Sequence, residues 1–352
     1  MRSQVWSTLI LAAGVTMSVA CEQQSGGPTA ISGVDDGPRL AVYGLGYLHR
    51  ATPREMCATG PYRDFDFWVG EWAVEDPAGN QVGTNIVRSE LGGCLVAENW
   101  TSADGGRGRS LNMYDASTGK WYQAWMDIFA QHLRLEGGLL NGEMVLSGDR
   151  QALSGVPITD QITWTPTSVA EVRQFWQIAV HVDPPFTVTA FDGRYMRRDQ
   201  VDPAPPAPSS YCSDAAFDQL DFWLGTWTVE ADNGLRLGTA VVSEDLNNCL
   251  IEERFSTGKG YESVAFMGFD PRPGLWYRHS MDNQGLRLQA SGTTTSGTMV
   301  LTGDGPTPEG GRVEIRNEIA EQSDGSVRQA MYVSRDGGAT WKTDVVLIYR
   351  RR

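Results

Sequence analysis

The sequence predicts an all-β protein made of two tandem antiparallel barrels of about ten strands each. Three observations lead to this prediction. The 352 residues exceed what one small core usually organises, and a long internal repeat divides most of the chain into two similar halves. In each half, short apolar runs alternate with turn residues, and 40 glycines and 17 prolines favour a turn-rich β architecture over helix bundles.

The N-terminal 20 residues have the composition of an export signal. Arg2 supplies a cation, residues 5–20 carry no charge, and small side chains precede Cys21. At sixteen residues, the apolar stretch is short for a membrane-spanning helix, which needs about 20. We therefore expect a cleaved signal peptide over residues 1–20 and a flexible tether over residues 21–55.

Cys21 is the expected site of lipidation. Ser18-Val19-Ala20-Cys21 resembles the bacterial lipoprotein box, although this chain has Ser18 where that family prefers leucine. The resemblance implies that Cys21 becomes the first mature residue and carries the lipid, and Glu22 resembles a sorting residue for the outer membrane. A lipoprotein of the periplasm or outer membrane is thus expected, with ordinary secretion as the alternative.

An internal repeat with a constant offset of 155 positions covers more than a hundred residues. The octapeptide FDFWVGEW at Phe65–Trp72 recurs as LDFWLGTW at Leu220–Trp227. Agreement over this length indicates a duplicated domain. We expect one barrel domain at residues 56–198 and a second at residues 211–352, joined by a proline-rich linker at residues 199–210.

The cysteines follow the same offset. Cys57 and Cys94 lie 37 residues apart, and Cys212 and Cys249 repeat that spacing in the second copy. In an exported chain this pattern predicts two disulfides, Cys57–Cys94 and Cys212–Cys249. Metal binding by these thiols is the alternative, but each copy has only two thiols and lacks a CxxC or a nearby histidine cluster, so no metal site is predicted.

Ten short apolar runs separated by Gly, Asn or Asp are expected to form the strands of the first copy. Asn141-Gly142 is a strong hairpin signal between two of them. Ten strands with almost no helical periodicity favour a closed or nearly closed barrel, and a β-sandwich is the alternative. The expected strands are Trp68–Val74, Asn85–Leu91, Leu95–Thr101, Arg109–Tyr114, Trp121–Ile128, His132–Leu139, Glu143–Leu146, Gln161–Thr165, Val172–Val180 and Thr187–Arg197.

The motif F-x-x-G-x-W at Phe67–Trp72 and Phe222–Trp227 resembles the G-x-W signature of the first strand in lipocalins and the wider calycin barrels. In that family the tryptophan closes one end of the barrel and packs beneath an arginine of the final strand. The fuller string FDFWxGxW also resembles a group of uncharacterised exported bacterial proteins with lipocalin-like barrels. The resemblance implies structural roles for Gly70, Trp72 and Arg197 in the first copy and for Gly225, Trp227 and Arg351 in the second.

The net charge of −14 argues against sequence-independent binding to nucleic acid and against adhesion to anionic lipid, because both need clustered cations on the protein. The sequence contains no G-x-S-x-G, HExxH, P-loop, Rossmann or zinc pattern, so no cofactor is predicted. Haem binding through a lumenal histidine is an alternative, and His132 is its candidate ligand. Ala124 stands at the position of His279, so the histidines are not duplicated.

Several polar residues recur in both copies within expected strands. In Leu133-Arg134-Leu135 the leucines should face the core, which directs Arg134 outward. Others share a face with aromatic residues and are candidates for a pocket. The recurring pairs are Glu98/Glu253, Asp127/Asp282, Arg134/Arg287, Arg173/Arg328 and Gln174/Gln329.

Faces that mix aromatic area with a few polar groups are typical of small-ligand pockets. Glu98 shares its strand face with Trp100, and a second strand carries alternating aromatic and polar side chains on one face. The second copy has Phe255, Ser280 and Met331 in place of three tryptophans, so the first domain is the better ligand candidate. The candidate pocket residues are Glu98, Trp100, Trp121, Gln123, Trp125, Asp127, Gln174 and Trp176.

These features predict a cell-envelope protein that binds or carries a small hydrophobic or amphipathic molecule in the first barrel and contacts the membrane only through its lipid. One alternative is a hydrolase or isomerase in which Glu98 and Asp127 supply acid–base chemistry. Another is a non-catalytic scaffold in which side chains fill both lumens and the exterior binds protein.

Overall fold

The computed structural model describes Leu48 and residues 57–152, 154–199, 211–307 and 311–352. Its strands form two closed antiparallel barrels of ten strands each, which confirms the expected fold class. The expected signal peptide, the tether apart from Leu48, Cys21 and the linker beyond Asp199 lie outside the described residues. No helix in the described part of the chain is long and apolar enough to cross a bilayer.

In the first barrel each strand pairs with its neighbours in sequence, and the first strand pairs with the tenth to close the sheet. A closed sheet leaves no unpaired strand edge. The ten expected strands all form, and the second, seventh and eighth extend further than expected. The strands are β1 Gly70–Glu75, β2 Gln81–Glu90, β3 Leu95–Ser102, β4 Arg107–Asp115, β5 Lys120–Asp127, β6 His132–Leu140, β7 Glu143–Gln151, β8 Pro157–Ser168, β9 Glu171–Val180 and β10 Phe186–Arg197.

The second barrel repeats this meander, and its first strand pairs with its last through Trp227 and Arg351. The strands are β11 Gly225–Ala231, β12 Arg236–Asp245, β13 Leu250–Thr257, β14 Glu262–Asp270, β15 Leu275–Asp282, β16 Arg287–Thr295, β17 Thr298–Pro306, β18 Arg312–Glu321, β19 Val327–Ser334 and β20 Lys342–Arg351.

The repeated octapeptide forms a turn followed by the first strand, rather than a strand throughout. Residues Asp66–Trp68 make a 3-10 turn whose Trp68 is fully buried against Phe65, with ring centroids 4.9 Å apart. Trp72 donates its indole N–H to the carbonyl of Trp68 at 2.9 Å. This aromatic cluster fills one end of the first barrel, and Trp227 makes the same 2.9 Å bond to Trp223 in the second.

The final-strand arginines stack on these tryptophans. The guanidinium carbon of Arg197 lies 4.5 Å from the ring centroid of Trp72, and that of Arg351 lies 4.6 Å from that of Trp227. A Cβ at Gly70 would lie 2.5 Å from the Arg197 guanidinium, so a side chain there would displace the arginine. Gly225 adopts a φ of +141°, a backbone conformation that other residues rarely occupy.

Both predicted disulfides, Cys57–Cys94 and Cys212–Cys249, are present. Each joins the segment before the first strand to the turn that precedes the third strand of the same barrel. All four cysteines are buried in one apolar cluster shared by the two barrels, together with side chains from β3 to β5 and β13 to β15. The barrels therefore meet through equivalent strands and form one compact unit.

Charged residues flank this apolar interface. Arg109 of the first barrel donates to Asp245 at 2.6 Å and to Glu252 at 2.7 Å in the second. Toward the other end of β4, Arg287 of the second barrel donates to the buried Asp115 at 3.2 Å. Buried ion pairs of this kind specify how two surfaces are matched rather than supplying large net stability.

Candidate functional site

A cavity of about 140 Å³ lies in the lumen of the first barrel. Three tryptophans line it from three different strands: Trp100 of β3, Trp125 of β5 and Trp176 of β9. Because side chains alternate along a strand, each points inward with the lumenal residues two positions away. The other lining residues are Glu98, Gln123, Leu133, Ile162, Gln174, Ala190, Phe191 and Tyr195.

Glycines on neighbouring strands make room for the aromatic rings. A Cβ at Gly108 would lie 2.0 Å from the Trp125 ring, and one at Gly83 would lie 2.5 Å from the Trp100 ring. Such distances are far inside van der Waals contact, so any side chain at these positions would displace the indole. The glycines thus set the positions of both rings at the cavity wall.

The cavity opens beside a β-bulge in β10. The register between β10 and β9 shifts between Thr189 and Phe191, which leaves Ala190 as the extra residue. Ala190 is exposed and yet lines the cavity, so solvent reaches the lumen at this point. Phe191 stands beside this opening and makes an edge contact with Trp100 at 5.8 Å between ring centroids. Bulges are often found near functional sites because they redirect side chains.

Glu98 is the carboxyl group of this cavity and is 3% exposed. Its Oε1 accepts a hydrogen bond from the Asn85 amide at 2.8 Å, and its Oε2 accepts one from the Ser110 hydroxyl at 2.7 Å. Burial raises the pKa of Glu98 to about 7, while these two hydrogen bonds act in the opposite direction. The carboxyl therefore changes charge near neutral pH.

A chain of hydrogen bonds leads along β5 and β4 to this carboxyl. Gln123 donates to Asn112 Oδ1 at 2.8 Å, Asn112 donates to Ser110 Oγ at 2.9 Å, and Ser110 donates to Glu98. Every donor in the chain points toward the carboxylate. This arrangement supports the ionised form of Glu98 without supplying a positive charge.

Gln174 occupies another part of the lining. Its Oε1 accepts hydrogen bonds from the Tyr195 hydroxyl at 2.6 Å and from the Trp164 indole at 3.1 Å. Burial, with the neighbouring Glu98 charge, raises the pKa of Tyr195 well above its ordinary value of 10, so this phenol remains a hydrogen-bond donor. Trp176 is fixed in a similar way, because its indole donates to the buried Asp160 at 2.9 Å.

Six of the eight candidate residues line this cavity and two do not. The six are Glu98, Trp100, Gln123, Trp125, Gln174 and Trp176. Trp121 shares a strand face with Gln123 but lies deeper, in the aromatic cluster at the filled end, where its indole donates to the Pro61 carbonyl at 3.2 Å.

Asp127 serves a turn instead of the cavity. Its Oδ1 accepts the backbone N–H groups of Phe129 and Gln131, each at 2.9 Å. Burial raises its pKa to about 6. The proposed pair of acid–base carboxyls is therefore not brought together, because Asp127 lies outside the lining that contains Glu98.

The haem alternative through His132 does not match its position. His132 lies on the outer face of β6, where its Nε2 is 3.2 Å from the Nε2 of His279 in the other barrel. The pairing of Arg134 with Arg287 across the repeat is also wrong. Strand register places Arg134 opposite Ala124 and Gln289 opposite His279, so Arg134 corresponds to Gln289 and His132 corresponds to Arg287.

Sequence reasoning missed several residues of the site. These residues are Asn85, Ser110 and Tyr195, which lie at the Glu98 end of the cavity. The hydrogen-bond partner of each can be assigned only when the strand register is known. Tyr195 carried a usable signal, since a tyrosine recurs at Tyr349 just before the terminal arginine. In the described ranges, no group of three or more His, Cys, Asp or Glu is placed to hold a metal ion.

The second barrel has a smaller cavity of about 70 Å³. Glu253, the counterpart of Glu98, accepts a hydrogen bond from Arg278 at 2.7 Å and one from the Tyr349 hydroxyl at 2.6 Å. Leu48, which precedes the first barrel in the chain, is 5% exposed and lines this cavity. Its own arginine and an added leucine thus occupy space in the second lumen.

Comparison with known proteins adds no identity to these observations. No family model matches the chain, and no curated protein matches it. One solved structure with similarity is a protein of unknown function from the DUF3598 family of Nostoc punctiforme. It is 10% identical, the match covers 84% of this chain and 99% of that one, and the TM-score is 0.17.

Proposed function

We propose that this protein is an exported, lipid-anchored cell-envelope protein that binds a small amphipathic molecule in the lumen of its first barrel. The observation that carries the proposal is the cavity whose wall combines Trp100, Trp125 and Trp176 with the polar groups of Glu98, Gln123 and Gln174. Apolar walls with a few placed polar groups are the usual composition of small-molecule sites.

The size of the cavity limits the ligand. A protein cavity of about 150 Å³ accommodates benzene, and the first lumen measures about 140 Å³. A ligand with one ring or a compact branched group fits this volume, whereas a long acyl chain would extend through the opening beside Ala190 into solvent. The proposed ligand is therefore small and carries a polar group that reaches Glu98.

Support for export comes from two separate parts of the chain. The first 21 residues resemble a signal peptide followed by a lipoprotein cysteine. The two disulfides are of the kind that forms in oxidising compartments. A location in the periplasm or at the outer membrane, with Cys21 as the lipid attachment site, is part of the proposal.

Acid–base catalysis receives less support than binding. Glu98 has no second carboxyl beside it among the residues that line the cavity, and the other candidate, Asp127, holds a turn. For the second barrel a structural role is favoured over ligand binding, because Arg278 and Leu48 fill part of its lumen.

The test is titration of the full mature chain with benzyl alcohol, a neutral ring with one polar group, followed by calorimetry and tryptophan fluorescence. We expect saturable binding that the double change Trp100→Ala and Trp125→Ala weakens at least about tenfold, since each aromatic contact contributes on the order of 1 kcal/mol. Trp341→Ala is the matched control, because Trp341 packs near Arg316 of the second barrel and does not line the first lumen. Binding that survives the double change intact would place the site elsewhere.

A further inference from the structure

Glu98 is a buried carboxyl whose two side-chain hydrogen-bond donors are neutral. Its two oxygens accept hydrogen bonds from the neutral side chains of Asn85 and Ser110, and no described residue forms an ion pair with it. Each carboxylate oxygen can accept a further hydrogen bond, because it has two lone pairs. An ionised carboxylate in an apolar lumen is costly unless a positive charge approaches it.

The second barrel shows how the same position is neutralised. Glu253 stands where Glu98 stands, and the guanidinium of Arg278 donates to it at 2.7 Å. The strand register places Gln123 at the position of Arg278. Within the described ranges, the duplicated fold therefore keeps the carboxyl in both lumens and pairs it with a protein cation in the second lumen alone.

Other substitutions between the lumens follow the same division. Where the first barrel has Asn85, Ser110 and Asn112 around the carboxyl, the second has Ala240, Ala265 and Met267. In the first barrel, neutral donors thus surround the carboxylate and leave its charge unbalanced.

The walls of the first lumen suit a cation. Trp100, Trp125 and Trp176 line the space next to Glu98, whereas Phe255, Ser280 and Met331 hold these positions in the second barrel. Indole faces attract organic cations electrostatically, and several aromatic rings around an ammonium group form a cage that recognises it.

We propose that the first lumen binds a small organic cation, an amine of about one ring in size, whose ammonium group pairs with Glu98 in the place that Arg278 occupies beside Glu253. This inference rests on the proposed function, since it requires that the cavity accept a ligand. It names the charge and the size of that ligand.

Proton linkage follows from the chemistry of the carboxyl. Below about pH 7 Glu98 is largely protonated, so binding of a cation must release a proton. Amine affinity should therefore rise with pH through neutrality, while the affinity for an uncharged ligand should not require the ionised form.

The experiment compares benzylamine, benzyl alcohol and benzoate on the full mature chain by calorimetry at pH 8 and pH 5.5. At pH 8 we expect benzylamine to bind at least about tenfold more tightly than benzyl alcohol, and benzoate not to bind. At pH 5.5, where benzylamine is still cationic, its affinity should fall at least about tenfold. Buffers of different ionisation enthalpy then report the proton released.

Two variants separate the cation from the cavity. Glu98→Gln should remove the preference for benzylamine and its pH dependence while benzyl alcohol still binds. Gln123→Arg places a guanidinium where the second barrel has Arg278, so it should abolish benzylamine binding. This variant leaves Glu98 in place and tests the inference separately from Glu98→Gln.

The two levels of the proposal fail in different ways. Equal affinity for benzylamine and benzyl alcohol, unchanged in Glu98→Gln, would overturn the cation inference and leave the ligand site standing. Absence of binding for all three probes would overturn the proposed function as well.

Discussion

At the scale of single residues, the environment of Glu98 decides the character of the first lumen. Burial opposes its ionisation, and the hydrogen bonds from Asn85 and Ser110 only partly offset that effect. A carboxyl whose pKa is raised on folding stabilises the fold at low pH, and that contribution is lost as the pH rises through its folded value.

Replacing Glu98 with glutamine should therefore change how stability depends on pH. The carboxyl has an ordinary pKa of 4.5 and a folded pKa of about 7. Between pH 4.5 and pH 8.5 the parent protein should lose about 3 kcal/mol more unfolding free energy than Glu98→Gln, measured by urea denaturation. The exposed Glu321→Gln should behave like the parent. Parallel pH profiles for the parent and Glu98→Gln would contradict this account.

At the scale of elements, the shape of the cavity depends on glycines in the strands next to each tryptophan. Gly108 of β4 faces the Trp125 ring of β5, and Gly83 of β2 faces the Trp100 ring of β3. In the second barrel, strand register places Ser263 at the position of Gly108, alongside Ser280 in place of Trp125. The glycine and the large ring thus occur together.

Gly108→Ala should reduce the space available to a ligand. The added methyl group would overlap the Trp125 ring at 2.0 Å, so the ring must move from the wall. We expect the affinity for benzyl alcohol to fall at least about fivefold, because the displaced ring takes up cavity volume that the ligand needs and such overpacking costs roughly 1–3 kcal/mol. Gly138→Ala in β6 is the matched control, since a Cβ there meets nothing within 4 Å. Equal losses in both variants would indicate a general effect on the barrel.

The sequence predicts those features of the strands that depend on neighbouring residues, and it does not predict those that depend on position within the barrel. Turn residues such as Asn141-Gly142 mark strand ends locally, and φ values of +52° and +87° at these two residues agree with that signal. Strand parity correctly grouped Trp121 with Gln123, but depth along the barrel axis separates them, and parity carries no information on depth. Asp127 likewise shares that parity and is used by the turn that follows its strand.

At the scale of the whole molecule, the contact between the barrels buries the outer face of β3 to β5, whose inner face already lines the first lumen. In β4 the four consecutive residues from Ser110 to Met113 are buried, although a strand with one exposed face would alternate. The sequence does not reveal this two-sided burial, because Ser110 and Asn112 alternate with Leu111 and Met113 as in a strand with one polar face. Only the structure shows that the equivalent strands of the second copy cover the outer face.

The histidine pair within this interface should make the molecule sensitive to acid. Burial lowers the pKa of both His132 and His279, the latter to about 3, and the neighbouring Arg134, Arg272 and Arg287 lower them further. Histidines in the unfolded chain bind protons below about pH 6.5. The contribution of the buried pair to the free energy of unfolding is therefore fully present above that pH and is lost as the pH falls toward 3.

The expected slope is roughly 1.4 kcal/mol per pH unit for each histidine within that window. Replacing both His132 and His279 with glutamine should flatten the dependence of urea unfolding between pH 6.5 and pH 4.5. His181→Gln, at an exposed position of the first barrel, is the control and should retain the parent slope. An unchanged slope in the double variant would mean that other groups govern the acid response.

The position of Leu48 has a consequence for how the chain can be divided. This residue precedes the first barrel in sequence, yet it packs among Phe255, Tyr261 and Met331 of the second, and its carbonyl accepts a hydrogen bond from Thr257 at 3.5 Å. A fragment that begins at residue 211 would lack this side chain and leave its lumen incomplete. The second barrel is therefore completed by a residue that lies before the first barrel in the chain, and it is not an independent module.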